Sequence, residues 1–245
     1  MSFRIRDRWF VILIIIGALL GSVVLTQVAL AGAPSPQQDQ GDIEAVGHLG
    51  GMAFAINLTD DAHFAFLGVG SGLHVFDISD PAQLRLETAL PLRLGGLLGL
   101  ARSGNTLYTA SFHGLRIFDV SHPTQPTELG QWNGEEIRGV DVAGNSLYLA
   151  QSQQGLRILD VSNPASPQLL GTFATPGDAG VVQVAGDVAY VTCYIDWETP
   201  CPNAGFITVN VHDPAHPVQL GAYDVPKKIL GLQVAENRAY LAAGE

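Results

Sequence analysis

From Gly72 onward a ten-residue phrase returns at a near-constant interval, and no other feature limits the possible folds as much. It first reads Gly72-Leu-His-Val-Phe-Asp-Ile-Ser-Asp-Pro81, then Gly114-Leu-Arg-Ile-Phe-Asp-Val-Ser-His-Pro123. It comes back as Gly155-Leu-Arg-Ile-Leu-Asp-Val-Ser-Asn-Pro164, and more loosely as Gly205-Phe-Ile-Thr-Val-Asn-Val-His-Asp-Pro214. The glycines are spaced by 42, 41 and 50 residues. A second phrase keeps the same period: Gly104-Asn-Thr-Leu-Tyr108, Gly144-Asn-Ser-Leu-Tyr148, Gly186-Asp-Val-Ala-Tyr190 and Glu236-Asn-Arg-Ala-Tyr240. Two landmarks sharing one period mean a chain built from copies of one supersecondary unit, each burying its apolar faces against its neighbours.

Each unit reads as four short strands. In the third unit the alternation places them at about Arg138–Ala143, Ser146–Gln151, Gly155–Val161 and Gln168–Ala174, broken by Gly-Asn, Gln-Gln-Gly and Ser-Asn-Pro. Four strands in about 42 residues is the measure of a β-propeller blade. A solenoid is the rival architecture, but its repeats are usually shorter and seldom hold four strands. Composition agrees: Gly supplies 28 of 245 residues and charged residues only 14%. A coiled coil or helical bundle needs far more Glu, Lys and Arg, and the 47% hydrophobic share excludes global disorder. The expected class is all-β, a β-propeller with about four and a half four-stranded blades present.

The phrase Gly-Leu-Arg-Ile-(Phe/Leu)-Asp-Val-Ser-x-Pro resembles the LVIVD-repeat family over about residues 43–245. The copy at Gly205 departs from it, with Asn210 in place of Asp and His212 in place of Ser. The resemblance implies a propeller in a bacterial exported or surface protein, and no defined reaction. Ile43-Glu-Ala-Val-Gly-His48 matches the fourth strand of a unit, as in Leu169-Leu-Gly-Thr-Phe173 and Val218-Gln-Leu-Gly-Ala222. The chain ends two strands into its fifth unit, so the expectation is residues 42–245 of an unfinished ring that would need one to three further blades.

Ahead of the repeats, Arg4, Arg6 and Arg8 precede an apolar run over Phe10–Leu25 and the small-x-small triplet Ala29-Leu-Ala31. Residues 1–31 read as a secretory signal peptide or, because the run exceeds the usual signal core of roughly 7–15 residues, as an uncleaved signal anchor. Residues 32–41 are polar and proline-containing, the composition of a flexible linker. Either reading places the repeats outside the cytoplasm: secreted, periplasmic or on the cell surface. Without residues 1–31 the chain keeps 9 Lys and Arg against 22 Asp and Glu. That balance argues against nucleic acid, which needs clustered cations, and leaves the amino-terminal anchor as the one route to a membrane.

Candidate chemistry is sparse. Asp77, Asp119 and Asp160, with Ser79, Ser121 and Ser162, resemble a string of metal-binding acids. One such set per unit, always before Pro, is better read as a turn whose side chains bond backbone amides. The histidines at 48, 63, 74, 113, 122, 212 and 216 fall at different repeat positions and supply no set of three or four convergent metal ligands. No Gly-x-Ser-x-Gly elbow or dinucleotide loop occurs; Gly68-Val-Gly-Ser-Gly72 reads as a strand-connecting turn. No cofactor is expected. Cys193 and Cys201, the two cysteines, lie in the long fourth unit, where eight extra residues fall within Thr192–Ala204. Export permits a disulfide there, stapling the inserted loop.

In an up-and-down blade, the connection to the next blade shares a face with the turn between the second and third strands. That face gathers the insert residues Tyr194, Trp197 and Glu198 with Arg93, Glu135, Glu136, Arg138, Asp178, Lys227 and Lys228. Charge that varies from blade to blade on a uniform frame is what a binding face shows, and an exposed Trp among mixed charges suits protein or glycan contact. The expected function is therefore a non-catalytic, exported interaction scaffold. A propeller enzyme (a lyase, hydrolase or quinone-dependent dehydrogenase) with its catalytic residues in blades beyond this sequence is the alternative, and a purely structural module is a third.

Overall fold

The computed structural model describes residues 53–244 apart from 93–94, 196–200, 202–204, 226, 228 and 237. Residues 1–31 and 32–41, read as a signal and a linker, and the strand read at Ile43–His48 lie outside the described residues.

The repeat becomes four antiparallel four-stranded sheets and a final two-stranded one. The first sheet holds β1 (Ala53–Leu58), β2 (Phe64–Val69), β3 (Gly72–Asp77) and β4 (Arg85–Pro91). The second holds β5 (Leu97–Ser103), β6 (Thr106–Ser111), β7 (Gly114–Asp119) and β8 (Thr127–Trp132). The third holds β9 (Gly139–Ala143), β10 (Ser146–Ala150), β11 (Leu156–Asp160) and β12 (Gln168–Phe173). The fourth holds β13 (Asp178–Ala185), β14 (Val188–Tyr194), β15 (Phe206–Asn210) and β16 (Val218–Tyr223), and the hairpin of β17 (Ile229–Ala235) and β18 (Arg238–Ala243) follows. The expected third-unit strands agree to within one residue at each end.

The first strands β1, β5, β9, β13 and β17 lie side by side in succession, while the fourth strands β4, β8, β12 and β16 are largely exposed. Sheets radiating from a common inner line are the blades of a β-propeller. The core lies between blades: the second and third strands carry Phe66, Leu73, Leu107, Ile117, Leu147, Leu149, Ile158 and Val209, all fully buried. Each is clasped between two sheets, which is why the strands read as near-continuous apolar runs.

Both phrases of the sequence are turns with identifiable chemistry. Gly104, Gly144 and Gly186 have φ of 54°, 59° and 58°, the left-handed region glycine enters without a Cβ penalty. In the longer phrase, Asp77, Asp119 and Asp160 accept from the amides of Ser79, Ser121 and Ser162 at 2.9, 2.7 and 2.8 Å. These bonds hold all three carboxyls below the ordinary carboxylate range; for Asp77, with the Ser79 hydroxyl as the largest cause and Arg85 also bonded, the value falls to about 2. In the divergent fourth copy Asn210 accepts from His212 N at 2.9 Å, so an amide oxygen forms the same turn. These residues are scaffold.

Neighbouring blades are joined by two repeated contacts. In the first, a polar side chain on an inner strand accepts the amide of the next inner strand: Asp141 from Val184 N at 2.6 Å, and Gln183 from Val234 N at 2.5 Å. Burial pushes the Asp141 carboxyl above its ordinary range, against the amides of Val184 and Val142 that favour the anion. Both carboxylate oxygens accept, Oδ1 from Val142 N at 2.9 Å and Oδ2 from Val184 N. Asp141→Asn keeps one acceptor, turns its NH2 toward the other amide, and is expected to cost less than Asp141→Ala. Asp141→Ala, which orphans the Val184 amide, should cost about 1–3 kcal/mol. Urea unfolding of both variants checks the contrast, and equal losses would refute it.

In the second contact, the Asp-x-Ser-x-Pro turn of one blade rests on the fourth strand of the blade before it. A β-carbon on Gly130 would collide with the Pro164 carbonyl and lie 2.9 Å from Ala165 Cα. One on Gly171 would collide with the Pro214 carbonyl and lie 3.0 Å from the Ala215 carbonyl oxygen. In the first blade Thr88 holds this place and donates its hydroxyl to the Thr124 carbonyl at 2.6 Å.

Candidate functional site

The face expected to vary is built at the junction of the third and fourth blades. Four segments meet there: residues 133–138 leading into β9, the turn 151–155 after β10, the connection 174–178 leading into β13, and the insert after β14. The inner strands are tied at this face to the preceding blade. Ile137 N donates to the Ser111 carbonyl at 2.9 Å and Ala179 N to the Ser152 carbonyl at 2.9 Å.

Five of the expected surface residues are brought together here. Arg138 Nη2 bonds Glu136 Oε2 at 3.1 Å, with both side chains about one-fifth exposed. The Arg138 guanidinium carbon lies 5.1 Å from the centroid of the Tyr194 ring, a cation–π distance. Asp178 is the register partner of Tyr194 across β13 and β14. Glu135 accepts from Gln154 Nε2 at 3.3 Å, and Gln154 in turn accepts from Arg157 Nη2 at 2.9 Å. Lys227 is exposed on the connection to the fifth hairpin. Arg93, Trp197, Glu198 and Lys228 lie outside the described residues.

Tyr194 is a correction. The sequence suggests an insert residue available for contact, but it is the last residue of β14 and only 3% exposed. Its ring is seated against Gly180, where a β-carbon would lie 2.6 Å from Cε1, and burial pushes its phenol pKa upward. The Tyr194 ring thus supports Arg138 from beneath. The excursion from the strand begins with Ile195, which is exposed.

The cysteines form the expected bridge, Cys193 to Cys201, with Cα atoms 5.5 Å apart. Cys193 N also donates to the Gly205 carbonyl at 3.0 Å, so strand pairing and the disulfide close the insert at its neck. Beside it, Gln153, Thr175, Pro176, Gly177, Asp178 and Ile195 line an open concavity of about 350 Å³.

One polar residue at this face was not anticipated. Gln151, 2% exposed, sits under Gly134, whose β-carbon would lie 2.8 Å from its amide nitrogen. It follows the regular Leu-Tyr-Leu-Ala of β10, at a position held by Val69, Ser111 and Cys193 in the other blades, and only its length at a site that takes short side chains could have marked it. Among the described residues no three His, Cys, Asp or Glu side chains converge as metal ligands.

A family model described as LVIVD repeat matches residues 50–89, 99–134 and 136–175, which coincide with the first three blades. The fourth blade, with the insert and the altered turn, falls outside the matched residues. Among solved structures the chain is similar to the computationally designed Ika8 protein, with a TM-score of 0.58 and 12% identity over 78% of this chain and 55% of that one. It is also similar to a functionally unknown protein from Desulfotomaculum acetoxidans DSM 771, with a TM-score of 0.58 and 16% identity over 75% of this chain and 59% of that one. At these identities the likeness concerns the fold. The chain spans 55% and 59% of the lengths of those two structures. No curated protein matches it.

Proposed function

Because this chain is an LVIVD-repeat protein over residues 50–175, we propose that it acts as an exported, non-catalytic propeller whose third and fourth blades present a protein- or glycan-binding face. The observation that carries this reading is the insert after β14. It interrupts an otherwise regular blade, its neck is closed by the Cys193–Cys201 bridge, and Tyr194 at that neck meets Arg138 and pairs with Asp178. Turns at the same place in the other blades are shorter: two residues between β2 and β3, two between β6 and β7, and five between β10 and β11. A long loop held at its base by a rigid frame can present contact residues at a low ordering cost. The disulfide favours an oxidising compartment, in keeping with export.

The contact is assigned to Trp197 and to Glu198, its neighbour in sequence, together with the Arg138–Glu136 pair. Glycan- and protein-array screening of the full chain should identify a ligand, and Trp197→Ala should weaken its binding tenfold or more, about 1.4 kcal/mol. Binding unchanged by Trp197→Ala would remove the insert from the function.

A further inference from the structure

Of the asparagines in the sequence, Asn133 alone precedes a glycine. Asn133 and Gly134 open the connection from β8 to β9, and both are exposed. Among the described residues neither the Asn133 side chain nor the Gly134 amide has a hydrogen-bond partner. Packing demands glycine at 134, since a β-carbon there would lie 2.8 Å from Gln151 Nε2 and 3.6 Å from Trp132 Nε1. It demands glycine on the facing turn as well. Gly114, with φ of 109°, turns bare backbone toward the pair; a β-carbon on it would lie 3.1 Å from Gly134 N and 3.5 Å from Asn133 Cα. The fold therefore leaves an unbonded amide nitrogen, flanked by glycine on either side, next to an unengaged asparagine side chain. The other described asparagines lack this combination. Asn57 lies within β1, and its Oδ1 accepts from Arg102 Nε at 3.4 Å. Asn163 accepts from Ala165 N and precedes Pro164, which has no amide hydrogen. Asn210 accepts from His212 N, and the Val211 amide that follows it is bonded to the Asp187 carbonyl. Asn105 and Asn145 precede Thr106 and Ser146, the first residues of β6 and β10.

We propose that Asn133–Gly134 is a self-modifying site, at which the folded chain converts Asn133 to aspartate and isoaspartate with water as the only co-reactant. The Gly134 nitrogen attacks the side-chain carbonyl carbon of Asn133. A C–N bond forms, the bond to the amide NH2 breaks, and the proton shed by the Gly134 nitrogen leaves with that group as ammonia. Water then opens the five-membered imide. Breaking the ring bond to the side-chain carbonyl gives aspartate; breaking the one to the main-chain carbonyl gives isoaspartate, with the backbone routed through the former side chain. No electrons are exchanged. The reacting groups belong to adjacent residues, so their freedom to meet sets the rate, and glycine gives the backbone that freedom. Both products place a carboxylate beside Glu135 and Glu136. Isoaspartate also lengthens the backbone by a methylene, in a connection whose far end is pinned by Ile137 N to the Ser111 carbonyl and Arg138 N to the Ala150 carbonyl, each at 2.9 Å. The added length falls where Gly134 rests on Gln151 and Trp132. The modification belongs to this connection and does not depend on the face binding a ligand.

The test incubates the full chain at neutral pH, well below its melting midpoint, beside a synthetic peptide with the sequence of residues 127–139. Peptide mapping over time should show Asn133 gaining the small mass of an amide-to-acid conversion. An isoaspartyl methyltransferase should label the same segment. Because the fold leaves both reacting groups free, conversion in the full chain should run within about tenfold of the rate in the peptide. Asn133→Gln, at an exposed position, should fold as the parent does and abolish both the mass gain and the label in this segment. A full chain that converts more than tenfold slower than the peptide would mean that the fold protects the pair, and would overturn the proposal. So would labelling of the segment that persists in Asn133→Gln.

Discussion

Gly171→Val is expected to lower stability by about 3 kcal/mol, a fall in melting midpoint of about 6–12 °C for a chain of this size. The cause is contact alone. Gly171 has no left-handed φ, and valine suits a strand by its own propensity. The new side chain would run into the Pro214 and Ala215 carbonyls, where the next blade's turn rests on β12. Relief requires either separating the two blades or displacing that turn, and both expose core shared by β10, β11 and β14. Gly221→Val supplies the internal control: the same substitution at the same strand position, with no turn against it among the described residues. Its cost should stay within about 0.5 kcal/mol. Equal losses in the two variants, measured by thermal or urea unfolding, would mean that glycine is required by the strand itself and that the turn-on-glycine contact does not hold blades together.

This contrast shows which parts of the molecule could be read from sequence. The strands β3, β7, β11 and β15 were legible because period-two alternation and Asp-x-Ser-x-Pro turns are local chemistry, repeated within a few residues of themselves. The side-to-side relation of the blades was not. Asp141 meets Val184 N forty-three residues away, and the partner of Gly171 is a carbonyl in the next unit. The glycine in Leu129-Gly130, Leu170-Gly171 and Leu220-Gly221 recurs visibly, but recurrence alone does not say what lies above it. Tyr194 is the same lesson at the site. The surplus length of the fourth unit reveals an insert without revealing where the strand gives way to it. Only Gly180, in the strand alongside, makes room for the Tyr194 ring and so carries β14 through it. The charged cluster was legible as a set of residues on one face, because connection and turn share that face in any up-and-down blade. Its internal arrangement, with Arg138 held by Glu136 and resting on Tyr194, depends on residues 133–138 meeting the end of β14.

Opening the Cys193–Cys201 bridge should have the second large effect. The bridge closes nine residues, for which the chain-entropy model gives about 2.5 kcal/mol, or about 5–10 °C in melting midpoint. Cys193→Ala with Cys201→Ala is the suitable variant, since both sulfurs are buried, Cys193 at 3% and Cys201 at 0% exposure, and serine would add an unpaired hydroxyl. A reductant should lower the wild-type midpoint by a similar amount and leave the double-alanine variant unmoved. A midpoint that neither treatment shifts would show that the neck of the insert is held by pairing alone, through Cys193 N to the Gly205 carbonyl. The binding face gives a second readout, independent of unfolding. If Trp197 makes its contact from a loop fixed at the base, releasing that base adds an ordering cost to every binding event. The double-alanine variant should then bind the array-identified ligand more weakly at temperatures where it is fully folded, and Trp197→Ala should cost it less than it costs the bridged chain. A loop that binds equally well bridged or open would leave the disulfide a role in stability only.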